Sequence, residues 1–562
     1  MNPVAEAPTS ALDISQLEGI QEEVVTLKPE GHAVILGGSG TGKTVLSVLR
    51  ALYLSDPEAE HSGRTLLVTY NKSLLAYLNH LIPPGTKCLE ASTYHHFALA
   101  YLEKCGKMKK DWTIRDLREL SLIKEAREEV RKASSEETGV DLKQSVFVLK
   151  PELDWIAQNG FASEESYLSA DRTGRGGPMP QKALEALFHV YETYRRLRSE
   201  AGQEYSWEDM PAAVRSALKQ DESERRYRHI VIDEGQDFSP EMLRSLALAI
   251  PENGSLTFFG DLAQQIYCRG VSWRSAGLNV SKVWELTENH RNSRQIAELA
   301  SAIADMPYFN EQADVVRAEA LAPPGPKPRL VTFASHEDED AFVVERGEEL
   351  AADGSVAVLC RRYEDAARIG KQFEEAKGLN RFLGTWHPGP GVWCGTVHSA
   401  KGYEFDSVIL VGVTMSKWPE PRAISGLGPE QAAAADGRLL YVGVSRARQN
   451  LIITTTGAPT ALLPPNEDLW LEEHRGPTAE LDDPLADSAD DGAGDETHTA
   501  EQKDLPGEDD IVDEADLVDE DHTDDEPPEG TGDREDDGES PEGTGDPEDT
   551  RSWPLCVMNL DL

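Results

Sequence analysis

The sequence predicts an α/β protein of two parallel-sheet lobes, with a helical insert in the first lobe and a disordered acidic C-terminal tail. Three observations carry this. Short apolar runs alternate with helical stretches, the pattern of strand–helix–strand crossovers. A proline-rich break separates one such series from a second. Beyond about Leu471 the apolar residues thin out and Asp, Glu, Gly, Pro and Thr dominate.

In order, the first strand is Ala33–Leu36, which runs into glycines and a helix expected over 43–54. Further strands are read at 65–69, 229–233 and 256–260. Between them, charged and apolar residues recur at helical spacing, most clearly over Leu117–Lys132, and mark an insert. Pro323-Pro324-Gly325-Pro326-Lys327-Pro328 can sustain neither helix nor central strand, and reads as a hinge or linker. A second strand series follows at 329–333, 356–359, 392–396, 408–411 and 451–455. The expected organisation is 1–97 and 206–322 for the first lobe, 98–205 for its insert, 323–460 for the second lobe and 461–562 for the tail. The tail carries PEGTGD twice and has too little apolar surface to offset its ordering entropy.

The 562 residues carry a net charge of −46, unevenly placed. From Gly476 onward there are about 33 acidic against 3 basic side chains, so the acidic total describes the tail and does not exclude a nucleic-acid partner for the body. The six cysteines are scattered without a CxxC pair, which argues against a zinc or iron–sulfur site and fits a reducing compartment. The N-terminus lacks a signal-peptide pattern and no apolar run approaches a bilayer span, so a cytoplasmic protein without membrane partners is expected.

Gly37-Gly38-Ser39-Gly40-Thr41-Gly42-Lys43-Thr44 fits GxxxxGK[ST] between strand and helix. In that pattern backbone N–H groups wrap phosphates, Lys43 reaches the β- and γ-phosphates, and the Thr44 hydroxyl ligates Mg²⁺. Asp233 and Glu234 close the run HIVIDE. Two adjacent acids after a strand are by themselves usually a solvated turn. Paired with the phosphate loop, they read as the Mg²⁺ acid (Asp233) and the general base (Glu234) of an ATP hydrolase.

From roughly 15 to 457 the motifs, taken in order, resemble the UvrD/Rep-like branch of superfamily 1 helicases, whose lobes are RecA-like. The resemblance implies that Gln21 reads the adenine edge, that Thr69, Thr93 and His95 lie toward nucleic acid, and that Gln264 senses the γ-phosphate. Glu404 would approach the ribose, and Thr396 and His398 would face the nucleic acid. Arg291 and Arg446 would neutralise the γ-phosphoryl group from across a cleft. His290 stands where the family usually stacks a tyrosine on adenine. Tyr267 or Trp273 would stack on a base, although Trp273 reads equally as core. Only 34 residues separate Arg361 from Thr396, whereas full-length relatives carry a large helical subdomain there.

The resulting expectation is an ATP- and Mg²⁺-dependent 3′→5′ motor on single-stranded or partly duplex DNA, with RNA left open. The alternative is a nucleic-acid-stimulated ATPase that remodels complexes or gates a partner nuclease without unwinding. Trp553–Leu562 ends the tail with an apolar peptide, read as a protein-docking element or as part of a solubility tail.

Overall fold

The computed structural model describes residues 14, 17–109, 116–133, 146–172, 179–261, 263, 273–309, 319–321, 323–379, 389–421, 423–424 and 428–475. All belong to one compact unit, 1–480. The repeats and terminal peptide of the tail lie outside the described residues.

The first lobe is a six-stranded parallel sheet of β1 (Gly31–Gly37), β2 (Thr65–Thr69), β3 (Leu89–Thr93), β4 (His229–Ile232), β5 (Ser255–Gly260) and β6 (Val283–Leu286), ordered β3-β2-β4-β5-β1-β6. Strands β2, β4 and β5 are buried at every position, as expected of a parallel sheet covered on both faces. Alternate residues of each strand point to opposite faces. Ile35, Val231 and Phe259 pack beneath α1 (Gly19–Val25), α2 (Lys43–Ser55) and α3 (Lys72–Leu81), whereas Val34, Ile230 and Phe258 face α4 (Tyr94–Lys104).

The insert comprises α5 (Asp116–Ala133), α6 (Val146–Asn159), α7 (Glu164–Leu168) and α8 (Gln181–Glu200), with a core of its own that includes Ile123, Ile156, Tyr167 and Phe188. It begins later than expected. Ala98, Leu102 and Met108 lie in the first lobe's core because Thr93 caps α4 directly at the end of β3. The chain re-enters that core through α9 (Met210–Gln220) and α10 (Pro240–Leu248).

The crossing to the second lobe also departs from expectation. Helix α11 (Arg294–Ala304) buries Ile296, Leu299 and Ile303 among second-lobe residues such as Leu440 and Ile453. The chain therefore changes lobe near 290–293, not at 322–323. The proline-rich run is anchored within the second lobe: Arg294 N–H donates to Pro323 O (3.2 Å), Gly325 N–H to Gln295 Oε1 (2.7 Å) and Lys327 Nζ to Asp468 O (2.9 Å).

A two-residue ladder, β7 (Glu288–Asn289) with β8 (Glu319–Ala320), flanks the crossing. The second sheet then comprises β9 (Arg329–Phe333), β10 (Ser355–Cys360), β11 (Ala376–Gly378), β12 (Gly391–Thr396), β13 (Phe405–Val411), β14 (Ala447–Thr456) and β15 (Leu471–Arg475), all parallel in the order β11-β12-β10-β13-β14-β9-β15. Helices α12 (His336–Ala351), α13 (Tyr363–Gly370) and α14 (Pro429–Ser445) complete it. Between Arg361 and Thr396 the described residues hold only α13, β11 and β12. None of the described helices is long and apolar enough to cross a membrane.

The expected tail boundary at 461 is too early. Leu462, Leu463 and Trp470 are buried in the second lobe's core, and β15 pairs with β9 through Arg475. Ending the chain after Thr460 should therefore destabilise it relative to ending it after Arg475. Loss of three buried apolar side chains, each worth about 1.5–3 kcal/mol, should appear as a lower thermal midpoint. Equal midpoints for the two truncations would show that 461–475 contributes nothing to the lobe.

Candidate functional site

One cleft, lined by Ser39–Val45, Leu74, Tyr77, Glu234, Arg291, Gly402, Glu404 and Arg446, is bordered by residues just before β13 and β14 in the second lobe and by the C-terminal edge of the first sheet. In open parallel sheets this edge is where ligands bind, because loops and helix N-termini converge there. The loop from Gly37 to Gly42 joins β1 to α2. Gly40 adopts φ +79°, and a Cβ there would lie 2.2 Å from Asn289 Oδ1, so no other residue fits. Lys43 is buried; its ammonium donates to Gly37 O (2.9 Å) and Gly38 O (2.6 Å) and lies 3.8 Å from Asp261 Oδ2. Burial depresses its pKa, against the opposing pull of Asp261 and Glu234.

Asp233 and Glu234 follow β4. Both carboxylate oxygens of Asp233 are buried, and neither is met by a hydrogen bond of full geometry. Burial and the adjacent Glu234 push its pKa up, with the Thr44 hydroxyl pulling it down. Two buried, under-bonded hard oxygens beside a hydroxyl suit Mg²⁺, so Asp233 and Thr44 fit a metal with the phosphate loop alongside. Glu234 has a left-handed backbone (φ 51°), a conformation that costs a non-glycine residue about 1–2 kcal/mol and turns its side chain into the cleft. Burial would raise its pKa, but Lys43, Lys401 and Arg446 outweigh that and hold it low, in the ionised form a general base requires. Gln236 donates to Glu234 through Nε2 and accepts from Asp261 N–H through Oε1 (2.9 Å), linking the ends of β4 and β5.

The two arginines do not share one origin. Arg291 follows β6, the edge strand of the phosphate-loop sheet, and is presented from that lobe's own margin. The expectation that it arrives from across the cleft is therefore corrected. It pairs with Glu404, and its Nη1 lies 3.5 Å from Ser39 Oγ. Arg446 does come from the second lobe, where α14 ends. It is buried and donates to Val442 O (3.1 Å), Tyr403 O (3.3 Å) and Ser445 Oγ (3.1 Å). Glu404 also receives Arg448 at 3.0 Å.

Besides the Arg291–Glu404 pair, three further polar ties cross between the lobes here among the described residues. The Tyr441 hydroxyl accepts from Ser39 N–H (3.3 Å), Asp237 pairs with Lys401 with both side chains buried, and Asn292 reaches the backbone beside Arg446.

Residues expected to face nucleic acid occupy strand ends. Thr69 ends β2 and is buried; Thr93 accepts His96 N–H (3.3 Å) as the α4 cap; Thr396 ends β12 and accepts Ser399 N–H (3.2 Å). His95 sits among Tyr70, Tyr94 and Trp207, with ring centroids 5.2–5.9 Å apart. Burial, aided by Lys72, lowers its pKa to about 4. His398 is lowered to about 4 by burial, Arg361 and Lys401. Both imidazoles are therefore neutral near pH 7 and can offer a phosphate hydrogen bonds but no charge. Trp273 packs edge-on against Phe258 (5.0 Å) as part of the first-lobe core, so of its two expected roles the structure favours core. Gln21 lies on α1, half-buried, and His290 is exposed beside Glu288 (3.3 Å); neither lines the cleft. Gln264 and Tyr267 lie outside the described residues.

Residues 17–283 match the model of the UvrD/REP helicase N-terminal domain, and residues 390–458 match that of the UvrD-like helicase C-terminal domain. The chain belongs to the UvrD/REP-like helicase family. Among its relatives, ATP-dependent DNA helicase UvrD2 of Mycobacterium tuberculosis is 23% identical, over 78% of this chain and 79% of that protein. DNA helicase IV of Escherichia coli is 22% identical, over 75% and 66% respectively. ATP-dependent DNA helicase srs2 of Schizosaccharomyces pombe is 25% identical, over 51% of this chain and 35% of that protein.

In this UvrD-like chain, reading the motifs left several site residues without a role: Asp261, Asn292, Lys401 and Tyr441. Asp261 closes the apolar strand β5 as Asp233 follows β4, a parallel visible in the sequence. The others act through partners distant in the chain. The Asp237–Lys401 pair yields a test. Removing one partner of a buried pair typically costs about 3–5 kcal/mol, and replacing both costs less. Lys401→Met should therefore destabilise the chain more than Lys401→Met with Asp237→Leu. Burial already raises the Asp237 pKa from 3.8 to about 6 despite Lys401. A raised carboxyl favours the folded state at low pH, and that contribution is lost as pH rises through the folded pKa. In Lys401→Met the loss should begin near 4 and extend above 6. Urea titrations across this range that show no pH-dependent difference from wild type would contradict the buried pair.

Proposed function

We propose that this chain is an ATP-driven 3′→5′ translocase on single-stranded DNA that unwinds partly duplex substrates. The observation that carries the reading is the convergence, in one cleft, of a phosphate loop and two acids from one sheet with Arg446 from the other. ATP is the substrate. Lys43 and the loop N–H groups would bind its phosphates, Glu234 would polarise the attacking water, and Arg291 and Arg446 would neutralise charge on the transferred group. Thr44 and Asp233 would hold Mg²⁺, which bridges phosphate oxygens and offsets their charge when bound. Because Arg446 belongs to the second lobe, engaging the γ-phosphate sets the spacing of the lobes. With a nucleic-acid grip on each lobe, through Thr69, Thr93 and His95 on one and Thr396 and His398 on the other, a change in spacing becomes a step.

Support for DNA comes from relatives named as DNA helicases. The polarity rests on the likeness of Ser399–Phe405 to the family branch. Glu404 would contact the ribose, and Gln21 and His290, which do not line the cleft itself, would contact a base projecting beyond it, with Gln264 near the γ-phosphate and Tyr267 against a base. A cytoplasmic setting and a protein partner on the tail belong to the same reading. The small segment between Arg361 and Thr396 favours a second reading, in which the motor clears bound proteins without separating strands.

Hydrolysis should rise strongly when single-stranded DNA is added. Lys43→Ala should abolish it, and Glu234→Gln should bind ATP yet turn over at least ~10²-fold more slowly. Near-normal turnover in either variant refutes the site. Duplexes with 3′ or 5′ tails then divide the readings: displacement only from the 3′ tail supports the helicase, and DNA-stimulated hydrolysis without displacement supports the remodeller.

A further inference from the structure

Asn292 is fully buried where the chain passes from the first lobe to the second. Its amide nitrogen donates to Ser445 O (3.1 Å) and Ala447 O (2.6 Å), the carbonyls on either side of Arg446. Its Oδ1 accepts from Asn289 Nδ2 (2.9 Å). Asn289, also buried, turns its own Oδ1 to the backbone N–H groups of Arg291 (2.9 Å) and Asn292 (3.2 Å) and packs directly against Gly40. Next to it, His290 N–H donates to Gly40 O (3.0 Å). Two side-chain amides thus join the apex of the phosphate loop, the backbone of Arg291 and the carbonyls of the residues before and after Arg446.

The chemistry of the link is specific to an amide. Asn292 uses two donors and one acceptor at once. A carboxylate of the same shape would set negative oxygens against two carbonyls, and an aliphatic side chain would leave the carbonyls and the Asn289 donor unpaired in a dry interior. A group that must meet transition-state charge tolerates little displacement: an error of about 1 Å can cost ~10²-fold in rate.

We propose that Asn292 is a positioning residue for hydrolysis, fixing Arg446 in register with the phosphate loop through the Asn289–Asn292 amide pair. This rests on the ATP-hydrolase reading above and extends it to a residue that touches neither nucleotide nor metal. Its effect should fall on kcat, should leave nucleotide affinity in place, and should depend on Arg446 being present.

The test uses the full chain with single-stranded DNA and compares wild type, Asn292→Ala, Asn292→Asp, Asn292→Ser, Arg446→Ala and the Asn292→Ala/Arg446→Ala double variant. Steady-state hydrolysis gives kcat, and a fluorescent ATP analogue gives affinity and shows that the phosphate loop is folded. Asn292→Ala and Asn292→Asp should lose about 10²-fold in kcat with affinity retained. Asn292→Ser, which keeps one hydroxyl donor, should recover part of the loss. In the Arg446→Ala background, Asn292→Ala should cost nothing further. Wild-type kcat in the Ala and Asp variants overturns the proposal. So does a loss of affinity matching the loss of kcat, or an undiminished loss on top of Arg446→Ala, since either makes the role merely structural. A wild-type protein that does not hydrolyse ATP would instead refute the function on which the proposal rests.

Discussion

The constraint on which this structure depends is the burial of opposite charges at one cleft. Lys43, Arg446, Asp233 and Asp261 are nearly inaccessible to water, and taking an ion out of water costs several kcal/mol unless its charge is met by partners and hydrogen bonds. The fold answers with geometry. Parallel strands end together, so acids after β4 and β5 and a cation-bearing loop after β1 share one edge without any long-range design. What one sheet cannot supply is an arginine from the opposite side. The second sheet exists, in this view, to deliver α14 and Arg446.

The join between the lobes is correspondingly polar. Phosphate-loop Ser39, the acid-motif residue Asp237 and the crossing residue Asn292 each reach a second-lobe partner. Hydrogen bonds and an ion pair are directional, and bridging cations and acids in a dry interface makes them sensitive to what occupies the cleft. Arg291 sits where these threads meet, its guanidinium held by Glu404 from the other lobe and its backbone N–H donating to Asn289 Oδ1 from its own. A phosphate entering the cleft would compete for the same guanidinium.

The sequence made the buried strands and the phosphate site legible because each depends on local pattern. ILGGSGTGKT and HIVIDE announce themselves through apolar runs ending in chemistry. The missed elements are those whose burial is partial or whose pairing runs through backbone. LEAST (β3) is half polar, VWEL (β6) is short and at an edge, and LEEHR (β15) is largely exposed yet completes the sheet beside β9. The same property hid the true end of the second lobe. The misassigned side of Arg291 has a related origin: motif order identifies the residue, but its lobe is set by β6 pairing with β1. Asn292 shows no role in the sequence because its acceptors lie more than 150 residues away.

The central claim is that nucleotide at this cleft sets the spacing of the two lobes through Arg446. Spin labels placed at the exposed positions Glu58 and Glu348, one on each lobe, would report that spacing by pulsed dipolar spectroscopy with and without a non-hydrolysable ATP analogue and single-stranded DNA. The account predicts a distance distribution that shifts when nucleotide binds and that no longer shifts in Arg446→Ala despite retained binding. An identical distribution with and without bound nucleotide in the wild-type chain would contradict it.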